Sequence, residues 1–332
     1  MEDEKNYGNL IDDVTEAIKK FNLVIFIGAG VSIAQGYPNW NNYIEHLIKY
    51  WQGQVLSVSG EKRLGREHHV VFDLISKSSI SNKRKVDLVN YELKKVFGED
   101  FEKRRLDFEK GYFKNLLPYS IVNQTVESLA SLNAIFITSN YDYEIENHIK
   151  RLKNSVVTIN DLNEFTKNKN GKLQFGDVLH IHGTPDCDVK YFVSSSADYS
   201  KTYLKNRENF ENLVTWFKET KPTVLFIGAG LEEDEILSLL CKDSKNYALM
   251  KSENTGNQRA DEHYRGVVEG FFSSENHTQI IWYGDEFEKL PLFVKKLVAD
   301  INEKLGTHDF YNQWNNLLNP SINQEEYNKN LD

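Results

Sequence analysis

The chain has 332 residues, 40% of them hydrophobic, and a net charge of −9, which is enough apolar material for one large domain or two smaller ones. So acidic a chain lacks the basic face that holds nucleic acid by its phosphates. Two cysteines, Cys187 and Cys241, with no CxxC, exclude a disulfide framework and a four-cysteine zinc site. The start "MEDEKNYGNL" is acidic and polar, so it does not read as a signal peptide. No apolar run approaches the about 20 residues of a bilayer span. The expectation is a soluble, cytoplasmic protein that binds neither nucleic acid nor membrane. The short basic run "KNKNGK" at 167–172 reads as a solvated loop.

In chain order, Leu10, Ile11, Val14, Ala17, Ile18 and Phe21 recur at helical spacing, predicting an amphipathic helix over 9–21. The strand "LVIFI" follows at 23–27 and ends in Gly28-Ala29-Gly30. Trp40, Tyr43, Ile44, Leu47, Ile48 and Trp51 mark one face of the next helix, with Asn39 as its N-cap. From 53 to about 130 the chain is charged, with helical spacing and few strand signals, and reads as a helical insertion. Then come short β-rich runs: "AIFIT" (134–138), "SVVTI" (155–159), "DVLHI" (177–181), "KYFVS" (190–194), "TVLFI" (223–227), "YALM" (247–250) and "QIIWY" (279–283). Helical stretches such as "ENFENLVTWFKE" separate several of them, and "EFEKLPLFVKKLVADINEKL" follows the last. Strands alternating with helices predict an α/β, Rossmann-like, mainly parallel sheet carrying a helical insertion. Residues 1–305 form the expected catalytic domain, and 306–332, rich in Asn, a tail or linker.

"TVLFIGAGLE" (223–232) nearly repeats "NLVIFIGAGVS" (22–32). A glycine turn between strand and helix lets a phosphate reach backbone N–H groups at the helix start. Neither turn completes GxGxxG, because Ile33 and Glu233 stand where the third glycine would be. No strand with a ribose-binding acid follows promptly, which argues against a hydride-transfer enzyme. Neither turn continues into GK[ST], so neither is a P-loop.

Two further strands end in reactive side chains: "AIFITSNYD", with Thr138, Asn140 and Asp142, and "DVLHIHGTPD", with His180 and His182. Ligands of open α/β sheets bind outside the carboxyl ends of the strands. The four ends at 28–32, 138–142, 180–183 and 228–232 are therefore expected to line one crevice, with the two glycine turns as two walls of one dinucleotide site. Asn140 and Asp142 also suit a helix cap, and His182 also suits a satisfied core histidine. His180 and His182 fall on one strand face by their spacing, but no further histidine pair at ligand spacing completes a metal site. His180 reads as packing or as a support behind the site residues.

Taken together, "GAGVSIAQGYPNW", "TSNYD", "HIHG" and "FIGAGLEEDEI" resemble, in this order, the NAD-binding core of the sirtuin superfamily. Gly28, Ala29, Gly30 and Ser32 match its first motif and Gly36, Pro38 and Trp40 the second, with Asn39 and Asn41 replacing an acid and an arginine. Thr138, Asn140 and Asp142 match the third, His182 and Gly183 the fourth, and Gly228, Ala229 and Gly230 the last. The missing zinc ribbon and the early helical insertion look like the bacterial sirtuin-like effectors of antiphage defence. That resemblance implies an NAD+ glycohydrolase that releases nicotinamide and ADP-ribose, with NAD+ as substrate and no zinc, depleting NAD on phage infection. It implies Asn140 and His182 as catalytic residues, and Gly28, Ala29, Gly30, Ser32, Thr138, Asp142, Gly228, Ala229 and Gly230 as dinucleotide-binding residues. It also implies control by a homo-oligomer, a regulatory protein partner or a phage-derived trigger. A protein deacylase or ADP-ribosyltransferase, and a non-catalytic ADP-ribose sensor, are the alternatives.

Overall fold

The computed structural model describes residues 2–54, 65–114, 122–148, 156–159, 173, 176–184, 192–205, 208–231 and 234–306. Cys187, the basic run at 167–172, Glu232, Glu233 and the tail from 307 onward lie outside them. No helix among the described residues is long and apolar enough to cross a membrane.

Seven strands form one sheet: β1 (Leu23–Ile27), β2 (Ile135–Thr138), β3 (Val156–Thr158), β4 (Val178–His180), β5 (Thr223–Ile227), β6 (Asn246–Lys251) and β7 (Thr278–Gly284). Their order is β3-β4-β2-β1-β5-β6-β7, and every described pair is parallel. The expected parallel α/β sheet is therefore present. A sheet of this kind is covered on both faces, so its strands are apolar on both. Leu23, Ile25 and Ile27 of β1 join Leu225 and Ile227 of β5 in one core, beneath the helices Glu2–Lys19 and Lys289–Leu305. Val24, Phe26, Val224 and Phe226 point into the other, against the helix Glu208–Thr220. Phe26 and Phe226 are in register, with ring centroids 5.2 Å apart. Burying each such side chain stabilises the fold by about 2–3 kcal/mol.

A third core belongs to the insertion. The helices Trp40–Gln54, Arg66–Lys77, Asn82–Phe97 and Phe101–Lys114 bury Tyr43, Leu47, Trp51, Phe72, Val89 and Phe108 against one another. Asn39 caps the first of them, accepting from the Asn42 N–H at 2.8 Å. The boundaries differ from the expected 53–130 at both ends. The helix Trp40–Gln54 faces the insertion, whereas Gln124–Leu129 puts Val126 and Leu129 into the sheet core. Spacing shows that a helix has an apolar face but not which core that face meets.

Two local expectations change. The first helix ends at Lys19, and Phe21 turns left-handed (φ 56°) with 41% of its surface exposed, outside the helix face assigned to it. Of the run "KYFVS", the described residues 192–194 are not a strand. The Val193 N–H instead donates to the His182 carbonyl at 3.0 Å, so this segment lies across the strand ends. The long helix Gln258–Asn276, capped by Asn257 through the Ala260 N–H, connects β6 to β7.

Candidate active site

The two glycine turns meet backbone to backbone. β1 and β5 pair in register through Ile27 and Ile227, so the turns that follow them emerge side by side. Gly28 N–H donates to the Ile227 carbonyl at 2.9 Å and Gly30 N–H to the Gly228 carbonyl at 2.8 Å. A Cβ on Gly28 would sit 2.5 Å from Gly228 O and 2.6 Å from Ala229 Cα. Gly228 has φ 65°, and a Cβ there would lie 2.7 Å from Val31 N. The repeated motif thus has a packing cause: each turn fits only if the other lacks a side chain. From β1 the chain crosses to β2 on one side, and β5 lies on the other, so the turns flank the switch point of the sheet, where such folds open a crevice.

The four strands whose ends were expected to converge, β4, β2, β1 and β5, are consecutive in the sheet. Past β2, Thr138 Oγ1 donates to the Ile27 carbonyl at 2.8 Å and accepts from the Asn140 N–H at 3.0 Å. Asn140 Nδ2 donates to Gly28 O at 3.2 Å and to Ser32 Oγ at 3.0 Å. A carbonyl only accepts, which fixes the orientation of the amide. Its Oδ1 accepts nothing among the described residues. Asp142 accepts the Glu144 N–H at 3.0 Å, so it does cap the short helix Glu144–His148. Burial pushes its carboxyl up to about 6, against the Glu144 N–H, Ser32 and His180, which favour the charged form.

The two histidines separate. β4 ends at His180, and the next residues form a turn, so the pair does not share a strand face. His180 is fully buried. Its Nδ1 donates to the Asn140 carbonyl at 2.9 Å, and its Nε2 lies 2.5 Å from Glu146 Oε1. The ring is tied at both ends and fixes the backbone of Asn140. His182, 4% exposed, instead meets the Tyr199 hydroxyl at 3.1 Å through Nε2.

A cavity of about 410 Å³ opens over these ends. Its lining includes Gly28, Ala29, Ser32, Asn140, Asp142, His182, Gly228, Ala229 and Gly230. Gly30 and Thr138 do not line it; Gly30 serves the contact between the turns, and Thr138 holds Asn140 to β1. Aromatic side chains form much of the remaining wall: Tyr37, Trp40, Tyr43, Phe113, Tyr141 and Tyr199. Tyr141 donates to the Val193 carbonyl at 2.6 Å and stacks on Phe192 at 4.3 Å. Lys83 also reaches the cavity. Phe113, Tyr199 and Lys83 escaped the sequence analysis because they come from the insertion and from the segment after β4. No motif or spacing linked those segments to the glycine turns.

The SIR2-like domain family matches residues 134–279. Over that stretch the chain is similar to the SIR2-like domain family. That match takes in Asn140, His182 and the second glycine turn, while the first turn and the insertion precede it. Over 236 residues the chain is also 27% identical to the NAD(+) hydrolase ThsA of Enterococcus faecium. The alignment covers 70% of this chain and 42% of that protein, so the chain spans less than half the length of the relative.

Proposed function

We propose that the sirtuin-like domain binds NAD+ in this cavity and hydrolyses its nicotinamide–ribose bond, giving nicotinamide and ADP-ribose. What carries the reading is the convergence on one cavity of paired glycine turns, Asn140 and His182, together with the similarity to an NAD(+) hydrolase. The N–H groups of Gly28 and Gly30 bond between the turns, so the diphosphate is met by other backbone N–H groups of the two turns. Asp142 accepts from the carboxamide of the nicotinamide. Asn140 Oδ1 accepts from a ribose hydroxyl or from water.

As the C–N bond breaks, its electron pair leaves with nicotinamide, which departs neutral, and positive charge develops on the ribose. Water attacks the anomeric carbon and gives a proton to the imidazole of His182, imidazole being the side chain suited to taking up protons near neutral pH. Tyr199 orients that ring through Nε2.

The test is incubation of the chain with NAD+, with nicotinamide and ADP-ribose separated by chromatography. Wild type should release both. Asn140→Ala and His182→Ala should release neither while remaining folded, with a cooperative melting transition. Turnover by either variant at the wild-type rate would refute these roles. ADP-ribose found attached to protein would indicate transfer, and binding without turnover would indicate a sensor. The resemblance to defence effectors extends the proposal to a cytoplasmic enzyme that depletes NAD+ during phage infection, held in check by assembly or a partner. NAD+ levels in infected cells carrying wild type or Asn140→Ala test that role.

A further inference from the structure

The cavity wall contains a single cationic side chain among its described residues, Lys83, which comes from the insertion and not from the sheet. We propose that Lys83 binds phosphate-ester oxygens of the dinucleotide and so makes the insertion part of the substrate site. The proposal rests on reading the cavity as a dinucleotide site.

Three observations converge on it. First, Lys83 has no acidic partner among the described residues, although its neighbours are occupied: Arg84 pairs with Asp87 at 3.2 Å, and Lys85 donates to the Ser76 carbonyl at 2.8 Å. The Lys83 ammonium lies instead over the Tyr199 ring, 3.4 Å from its centroid. Such a contact orients a cation without neutralising it. Tyr199 is the residue bonded to His182, so the charge stands beside the proposed reaction centre.

Second, the helix Asn82–Phe97 begins with Lys83, Arg84 and Lys85 and has no acid in its first turn. Cations at a helix N-terminus oppose its dipole. A local cost of this kind is offset when an anion binds there.

Third, the helix start is anchored on the site. Asn82 Nδ2 donates to Asn41 Oδ1 at 2.6 Å, and Asp87 Oδ1 accepts the Ala197 N–H at 3.1 Å. Buried Arg105 grips Asp198 at 2.6 Å and Ser194 at 3.1 Å. These ties hold Lys83 against the segment that carries Tyr199. The glycine turns supply only neutral N–H donors, and this ammonium adds a positive charge to the described lining.

The experiment compares wild type, Lys83→Gln and Lys83→Arg in turnover of NAD+, NADP+ and nicotinamide riboside, and in calorimetric binding of ADP-ribose. A contact made equally in ground and transition states raises KM and leaves kcat. Lys83→Gln should raise KM for NAD+ about ten- to a hundredfold, weaken ADP-ribose binding by a similar factor, and leave the phosphate-free riboside unaffected. Lys83→Arg should recover most of the loss. Equal losses for NAD+ and NADP+ identify the diphosphate; a loss confined to NADP+ identifies the 2′-phosphate. Unchanged KM for both dinucleotides overturns the proposal, as does an equal loss with the riboside, which would make Lys83 a support for Tyr199. If the chain binds ADP-ribose without turnover, weaker binding by Lys83→Gln sustains the proposal while the hydrolase reading falls. A wild-type chain that binds none of these ligands overturns both.

Discussion

Replacing Glu109 by Gln should leave the protein more stable than wild type at pH 8 relative to its standing at pH 5. Glu109 is 2% exposed, within the core of the insertion, and is bonded to the Tyr43 hydroxyl at 2.6 and 2.8 Å. Burial raises its carboxyl from an ordinary 4.5 to about 7, against the opposing pull of Arg105 and Tyr43. Below about 4.5 the group is protonated whether the chain is folded or not. Between about 4.5 and 7 the folded chain keeps a proton that the unfolded chain has released, so stability falls as pH rises through that window. At about 1.4 kcal/mol for each pKa unit, the loss is roughly 3 kcal/mol once pH exceeds 7. The amide of Gln keeps the shape and the bond to Tyr43 but does not titrate, and Arg105 retains Asp198. Urea unfolding of both proteins from pH 5 to 8 measures the effect as a difference, in which other titrating groups cancel. Wild type should lose about 2–3 kcal/mol relative to the variant across that range. A flat difference, or one running the other way, refutes the reasoning.

Gly28→Ala drives a Cβ into the backbone of the second glycine turn and should lower stability by about 1–3 kcal/mol; a melting temperature equal to wild type would show that the turns can part freely. Thr138→Val keeps the volume but removes the bonds to Ile27 and Asn140. It should destabilise by about 1–3 kcal/mol and reduce NAD+ turnover, with calorimetry and chromatography as the two readouts. Asp142, with its carboxyl at about 6, accepts hydrogen bonds best when ionised, so kcat/KM should rise as pH passes through about 6. Asp142→Asn should make that rise shallower, leaving the deprotonation of the His182 base alone; a profile unchanged in the variant would assign it to another group. Glu146→Gln loosens the tie that holds His180 against the Asn140 carbonyl and should lower kcat more than ADP-ribose affinity; an unchanged kcat would remove that pair from the account.

The sequence by itself determined the strands except at "KYFVS", because runs such as "LVIFI" and "TVLFI" must be buried on both faces, and it determined that their glycine ends mark turns. It also marked Asn140 and His182, because polar side chains at the end of an apolar strand lie where a parallel sheet opens. Only the tertiary structure decided why the glycine motif occurs twice: neighbouring strands bring the two turns into backbone contact, and strand order is a long-range property that local spacing does not encode. It likewise decided the division of labour between His180 and His182. Their spacing is compatible with a shared face, but the strand stops at His180, and each ring takes a different partner, Glu146 or Tyr199. Lys83, Phe113 and Tyr199 were illegible for the same reason. Their place at the cavity follows from how the insertion and the 192–205 segment fold over the sheet, and that is set by packing among residues far apart in the chain.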